Sequence, residues 1–269
     1  MKIFDCFTFY NELDLLEIRL HQLWDKVDRF VIVEGDRTYA GKEKKSQYLE
    51  NQDRFAWATS KIIHVIASLQ AEPETRWVNE AMQRDAIMQG LDLAMPEDVV
   101  CISCVDEIYS DSIFSDLRNN SINLPVLVEL KLFYYFLNGK CSGSASVFPC
   151  PVITRRAMLG NSIHQYWSDR YDYERYPFGG WHFSFLGGAH RIKEKIEAFS
   201  HQEYDSDFYK SSERLEQVIA NGDDIFARRG VVEVEYVPMD TSFPDYIVQN
   251  LDKYAHLIKP VGSGSTAAE

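Results

Sequence analysis

The sequence predicts an α/β fold, a mainly parallel central sheet flanked by helices, and three observations predict it. Short apolar runs ending near residues 8, 34, 67 and 103 alternate with helical stretches, giving a β-α-β-α-β-α-β order. The first run, KIFDCFTF at residues 2–9, is apolar on both faces, as a strand covered from two sides must be. The second half carries longer apolar and aromatic segments, which read as extra strands, antiparallel pieces among them. Right-handed crossovers in such a sheet put ligands at the carboxyl ends of the strands.

Each element follows from its own pattern. In residues 2–9, Ile3, Phe7 and Phe9 share one face, with Phe4, Cys6 and Thr8 on the other. Asn11 is the expected N-cap of a helix over 12–24. Glu12 and Asp14 sit in its first turn, where the helix dipole favours negative charge, and Leu13, Leu16, Leu20 and Leu23 repeat at helical spacing. RFVIVE at 29–34 is the second strand and is followed by the polar loop GDRTYAGKEKK. A short helix over 47–58 leads to the strand KIIHVIA at 61–67. A helix over 77–95, stopped by Pro96, precedes the strand DVVCIS at 98–103. Beyond it, 126–138 is a long apolar run, 144–154 reads as one or two strands, and 231–238 as another. GGWHFSFLGG at 179–188 is framed by glycines, and helices are expected at 189–199, 211–221 and 244–251.

Composition bounds the function. A chain of 269 residues that is 45% hydrophobic can bury one sizeable core, and the expected organisation is one domain over 1–260 with a small, polar, disordered tail at 261–269. No apolar window of about 18 residues exists to span a membrane. Asp5 and Glu12 interrupt the region a signal peptide would keep apolar. Five cysteines are too few and odd in number for a disulfide scaffold, so reduced thiols and a cytoplasmic location are expected. Twenty-eight Lys and Arg against 41 Asp and Glu leave a net charge of −13, which argues against a nucleic-acid surface. A small anionic ligand held by a few local cations remains compatible. There is no phosphate-binding P-loop, no GxGxxG after the first strand and no GxSxG elbow.

Three features carry candidate chemistry. CISCVDEIYS at 101–110 ends an apolar strand in Asp106 and Glu107. Two carboxylates there suit Mg²⁺ or Mn²⁺ shared with a phosphate-bearing ligand, or they form a solvated turn. In the 77–95 helix, Arg84 falls on the stripe of Trp77, Ala81, Met88, Leu91 and Met95. A buried guanidinium must find a carboxylate or a bound anion, so Arg84 is either a structural ion pair or a phosphate contact. In 179–188, Gly180 lets the backbone approach a ligand, Trp181 offers a stacking platform, and His182 offers a metal ligand or a structural polar contact. His201 and Glu203, just past a predicted helix, add a further acid or base.

These residues resemble glycosyltransferase family 17. The matching segments are DCFTFYNELDLLEIRL at 5–20, VDRFVIVEGDRTYAGKEK at 27–44, WVNEAMQRDAIMQGL at 77–91, ISCVDEI at 102–108, LKLFYYFLN at 130–138, GGWHFSFLGG at 179–188 and KIEAFSHQEY at 195–204. The resemblance implies a GT-A-like domain, UDP-N-acetylglucosamine or a similar UDP-sugar as donor, and inversion to a β-linked product. The family writes its acidic motif Asp-Val-Asp-Glu, whereas here Cys104 takes the first position. A neutral thiol is a poor partner for a hard cation. The resulting expectation is a site in which Asp106, Glu107 and His182 hold Mn²⁺ or Mg²⁺, weakened by Cys104. Glu34, Arg37, Arg84, Asp106, Trp181 and Gly180 are expected to bind the donor. Asp106 and Glu203 are the expected catalytic carboxylates, with Glu203 taking the proton of a glycan or small-molecule acceptor as the base. Two rival readings are a catalytically impaired nucleotide-sugar or glycan-binding protein, and a zinc-stabilised domain built on the cysteines.

Overall fold

A computed structural model describes residues 1–228 and 230–261; the expected tail, apart from Val261, lies outside the described residues. The parallel half of the sheet is made by β1 (Ile3–Thr8), β2 (Arg29–Gly35), β3 (Ile62–Ala67) and β4 (Val99–Cys104). Then follow β5 (Glu107–Tyr109), β6 (Val126–Tyr134), β7 (Gly139–Ser142), β8 (Val147–Arg155), β9 (Glu174–Tyr176), β10 (Gly180–Ser184) and β11 (Glu233–Tyr236). The main path through the sheet is β11-β7-β6-β8-β4-β1-β2-β3. The pairs β1–β2, β1–β4 and β2–β3 are parallel, while β8 inserts antiparallel between β4 and β6. β10 lies parallel to β6 and carries β5 on its other edge. The antiparallel additions expected in the second half are thus β8, β7 and β11.

The order β3-β2-β1-β4 places a topological switch point between β1 and β4. The chain winds outward from β1 through β2 to β3 and then returns to the other side of β1. The crossovers leave on opposite faces there, and a crevice opens at the carboxyl ends of the two strands. Thr8 and Cys104 are partners in register at that mouth.

The helices are α1 (Leu13–Gln22), α2 (Gln47–Glu50), α3 (Arg76–Asp85), α4 (Asp111–Arg118), α5 (Ile163–Ser168), α6 (Gly188–Ala198), α7 (Asp207–Lys210), α8 (Ser212–Asn221) and α9 (Asp245–Val248). The alternation read in β1 holds. Ile3, Phe7 and Phe9 enter one core with Leu16 and Leu20 of α1, and Phe4 and Cys6 enter another with Val31, Val33 and Ile87. Each large apolar side chain removed from water contributes about 1.5–3 kcal/mol. No helix among the described residues is long and apolar enough to cross a membrane.

Two local expectations change. The cap of α1 is Glu12 and not Asn11; the Glu12 carboxylate accepts from the backbone N–H groups of Tyr10 and Asn11 at 3.3 and 3.1 Å. The 77–95 helix ends at Asp85 and continues as a 3₁₀ turn over Ala86–Leu91. Its expected core stripe holds only in part: Leu91 is in the core and Met88 packs against it. Trp77 and Met95 are exposed, and the residues α3 buries are Asn79, Glu80, Gln83 and Arg84. α3 lies across the ends of β1 and β2, where carbonyls need donors. Gln83 Nε2 donates to the Val33 and Phe9 carbonyls at 2.7 and 3.3 Å, and Asn79 Nδ2 to the Gln70 and Tyr39 carbonyls at 2.9 and 3.2 Å.

Candidate active site

The turn after β4 is built by a buried arginine on α1. Arg19 is wholly enclosed, and all of its N–H groups are used. Nε and Nη2 grip the Asp5 carboxylate at 2.8 and 2.6 Å. Nη2 also donates to Ser103 Oγ at 2.6 Å, and Nη1 donates to the backbone oxygens of Cys104 and Glu107 at 2.8 and 2.6 Å. Glu107 turns its carboxylate back onto the Cys104 N–H at 2.6 Å. The segment Cys104–Glu107 is therefore fixed from both sides at the switch point.

Above it opens a cleft of about 560 Å³. Its walls come from the ends of β1 and β2, from α3, from the turn after β4, from β10, and from α5 and α6. Arg37, Arg84, Arg170, Lys195 and Arg228 line it, as do Glu12, Glu80, Asp106 and Glu107. Cations thus gather there, in a chain with a strong overall acidic excess.

Arg84 sits at the back of the cleft, only 2% exposed. Nη1 pairs with Glu80 at 3.0 Å, and Nε has no hydrogen-bond partner among the described residues. Its guanidinium stacks 3.7 Å from the centre of the Trp167 ring, and that of Arg170 lies 3.6 Å from the same ring. Two cations that close to one ring centre must take opposite faces. Trp167 is held by its indole N–H, which donates to the Cys150 carbonyl at 3.0 Å. Among the described residues no carboxylate pairs with Arg170, and its Nε is also unpartnered. Burial lowers the Arg84 pKa, but Glu80, with smaller contributions from Cys104, Tyr39 and Cys150, outweighs this and raises it. The guanidinium stays charged.

Asp106 is almost fully buried, and Lys195 Nζ of α6 donates to its Oδ2 at 2.8 Å. His182 Nε2 lies 3.5 Å from the same oxygen. Burial favours the neutral acid, yet Lys195 and then His182 hold the carboxyl well below its ordinary range. Burial also raises the Cys104 thiol to about 12, so it is neutral at physiological pH.

The structure brings Arg37, Arg84, Asp106, Glu107 and His182 to one cleft, as expected, and removes four other residues from it. Glu34 is a correction. It is fully buried, with Lys44 Nζ and the Gln47 N–H on one carboxylate oxygen, and the Tyr48 N–H, the Ser46 hydroxyl and His64 on the other. No lone pair is left for a donor sugar; Glu34 anchors the 36–48 loop instead. Trp181 faces away from the cleft, because β10 alternates. His182 and Ser184 line the cleft, while Trp181 packs beside Phe243 and donates to the Ser242 carbonyl at 2.9 Å. Gly180 serves strand pairing, since a Cβ there would lie 2.1 Å from the Ile108 carbonyl oxygen. Glu203 lies outside the cleft lining, half-exposed and bonded to His201 Nδ1 at 2.7 Å.

The expected metal set does not fit this arrangement. Among the described residues no group of three or more His, Cys, Asp or Glu side chains is placed to share a metal ion. The Asp106 carboxylate carries an ammonium at 2.8 Å, Glu107 has one oxygen bonded to the Cys104 N–H, and Cys104 brings no charge. A divalent ion about 4 Å from that ammonium would meet repulsion of about 4 kcal/mol per unit charge at an effective dielectric of about 20.

Glu34 yields a first prediction. Burial raises its pKa, but the His64 bond and then Lys44, Ser46 and Tyr48 bring it from 4.5 down to about 2. A depressed folded-state pKa contributes stability above the unfolded value and loses it as pH falls through the folded one. The shift corresponds to about 3 kcal/mol at neutral pH. Glu34→Gln is expected to be less stable than the parent by about that amount at pH 7, with the gap closing between about pH 4.5 and pH 2 in denaturant titrations. A gap independent of pH would contradict this role.

No local pattern marks Lys195, Trp167, Arg170 or Glu12 as site residues. Lys195 stands 89 positions from Asp106. Its sequence position makes Glu12 a helix-dipole residue, yet it lines both the cleft and a neighbouring pocket of about 170 Å³.

Comparison with known proteins gives one decisive match. The model of glycosyltransferase family 17 matches residues 1–262. No curated protein matches the chain. Among solved structures, the chain is similar to a 4-diphosphocytidyl-2C-methyl-D-erythritol synthase, at 9% identity over 66% of this chain and 89% of that one, with a TM-score of 0.39. It is also similar to the 2-C-methyl-D-erythritol 4-phosphate cytidylyltransferase of Francisella tularensis, at 10% identity over 64% and 79%, with a TM-score of 0.35. Likenesses this low say nothing about the ligand.

Proposed function

The chain belongs to glycosyltransferase family 17, and from that premise we propose that it moves a sugar from a UDP-sugar in the switch-point cleft to a hydroxyl acceptor, with inversion. N-acetylglucosamine is the sugar that the family resemblance suggests. The observation that carries the reading is the paired guanidiniums of Arg84 and Arg170 around Trp167, each with an unpartnered Nε among the described residues. Planar donors in a partly enclosed site suit the oxygens of a diphosphate.

In this mechanism the acceptor oxygen attacks the anomeric carbon. The bond from that carbon to the β-phosphate oxygen breaks, and its electron pair leaves with the nucleoside diphosphate. Arg84 and Arg170 meet the charge that develops on the leaving group. The acceptor proton needs a base. Of the four carboxylates in the cleft, Glu80, Asp106 and Glu107 are buried against Arg84, Lys195 and the Cys104 N–H, whereas Glu12 is partly exposed. Glu12 uses one oxygen on the Tyr10 and Asn11 N–H groups, and its other oxygen lies 3.8 Å from Lys195 Nζ. It stands on the wall between the cleft and the smaller pocket, together with Phe185 and Lys195. A donor in the cleft and an acceptor in the pocket would meet at Glu12, which replaces Glu203 as the proposed base.

The test has two parts. UDP-N-acetylglucosamine is expected to bind the parent and Glu12→Gln with equal affinity by calorimetry. UDP release from that donor, with water or a hydroxyl acceptor, is expected to fall about 10²–10⁴-fold in Glu12→Gln. Equal turnover in the two proteins would remove Glu12 from the mechanism, and the absence of UDP-sugar binding would remove the donor assignment.

A further inference from the structure

We propose that Lys195 stands where a divalent cation would be expected, so that nucleoside diphosphate binds this cleft without a metal. The proposal rests on the donor reading above and specifies its electrostatics. β10 ends at Ser184, and α6 starts at Gly188 after the left-handed Gly187 (φ 92°). This tight entry points α6 back over the switch point, so that Lys195 reaches the Asp106 carboxylate.

An ammonium has three donors. One is directed at Asp106 Oδ2 at 2.8 Å, and Glu12 lies more distantly at 3.8 Å. At least one N–H therefore remains for a phosphate oxygen in the cleft that Lys195 lines. The charges agree with this arrangement. A hard divalent ion needs several anionic oxygens, whereas the turn offers one carboxylate, a neutral thiol at Cys104 and a Glu107 already bonded to the backbone. One carboxylate is what a single ammonium requires. Asp106 is then a positioning residue that holds Lys195.

Calorimetric titration of UDP tests this directly, first with chelator and then with Mn²⁺ in place of it. The parent is expected to bind in chelator, with Mn²⁺ changing the affinity less than about 2-fold. Lys195→Met is expected to lower affinity at least about 10-fold in chelator, and Lys195→Arg to recover most of it. Circular dichroism on each variant separates lost binding from lost folding, and if Lys195→Met does not fold, the parent and Lys195→Arg titrations decide. Binding that needs Mn²⁺, or a folded Lys195→Met that binds as the parent does, would overturn the proposal. Absence of UDP binding under both conditions would overturn the donor reading as well, a result distinct from metal-dependent binding.

Discussion

Arg19→Met is expected to destabilise the protein by about 3–5 kcal/mol, the usual cost of leaving one half of a buried ion pair alone. Asp5 would stay enclosed without its partner, and Ser103, Cys104 and Glu107 would lose theirs. For a chain of this size the melting temperature should fall by about 10 °C. The effect reaches the site, because the Cys104–Glu107 turn hangs on the same guanidinium. Arg19→Lys is expected to rescue little, since an ammonium cannot make the forked contact with Asp5 and also reach two carbonyls. Chemical denaturation of both variants measures this, and a loss under about 1 kcal/mol would show that the turn does not depend on Arg19.

The second large effect is on binding. Arg84→Met is expected to weaken UDP-N-acetylglucosamine about 10²-fold or more, in line with the 2–5 kcal/mol typical of a buried charged contact. Glu80 would then be an unpaired buried acid, so the fair comparison is the double variant Glu80→Gln with Arg84→Met, which removes both charges. If the double variant folds and binds the donor as the parent does, Arg84 is a structural ion pair and nothing more. Arg84→Lys should recover only part of the affinity, because it loses both the fork and the flat stack on Trp167.

What the sequence could show follows from how local each signal is. A ligand crevice at the carboxyl ends of the strands was legible, because alternating strands and helices with an acidic strand end depend on neighbouring residues alone. The strand order that puts the switch point between β1 and β4 has no local signal. Arg84 was legible too, as a charge on an otherwise apolar stripe, of which Leu91 is buried and Met88 packs on the core while Trp77 and Met95 are exposed. The helix spends its polar residues on the ends of β1 and β2, a demand set by tertiary contacts. Glu34 and Asp106 look alike in sequence, as acids at strand ends. They differ because the 44–48 loop supplies Glu34 with local donors and Asp106 takes its partner from α6. Trp181 and His182 show how one residue of strand parity decides which side chain enters a site. Trp167 and Arg170 come from a segment, 163–172, in which no element was expected, so their stack around Arg84 had no local signature.

Hydrogen exchange of the protein with and without UDP-N-acetylglucosamine tests donor binding at the switch-point cleft. Slower exchange is expected in three separate segments, around residues 8–12, 104–107 and 163–172, which line the switch-point cleft. Protection confined to the opposite face, around Trp181 and Phe243, or donor binding that protects none of the three segments, would contradict it.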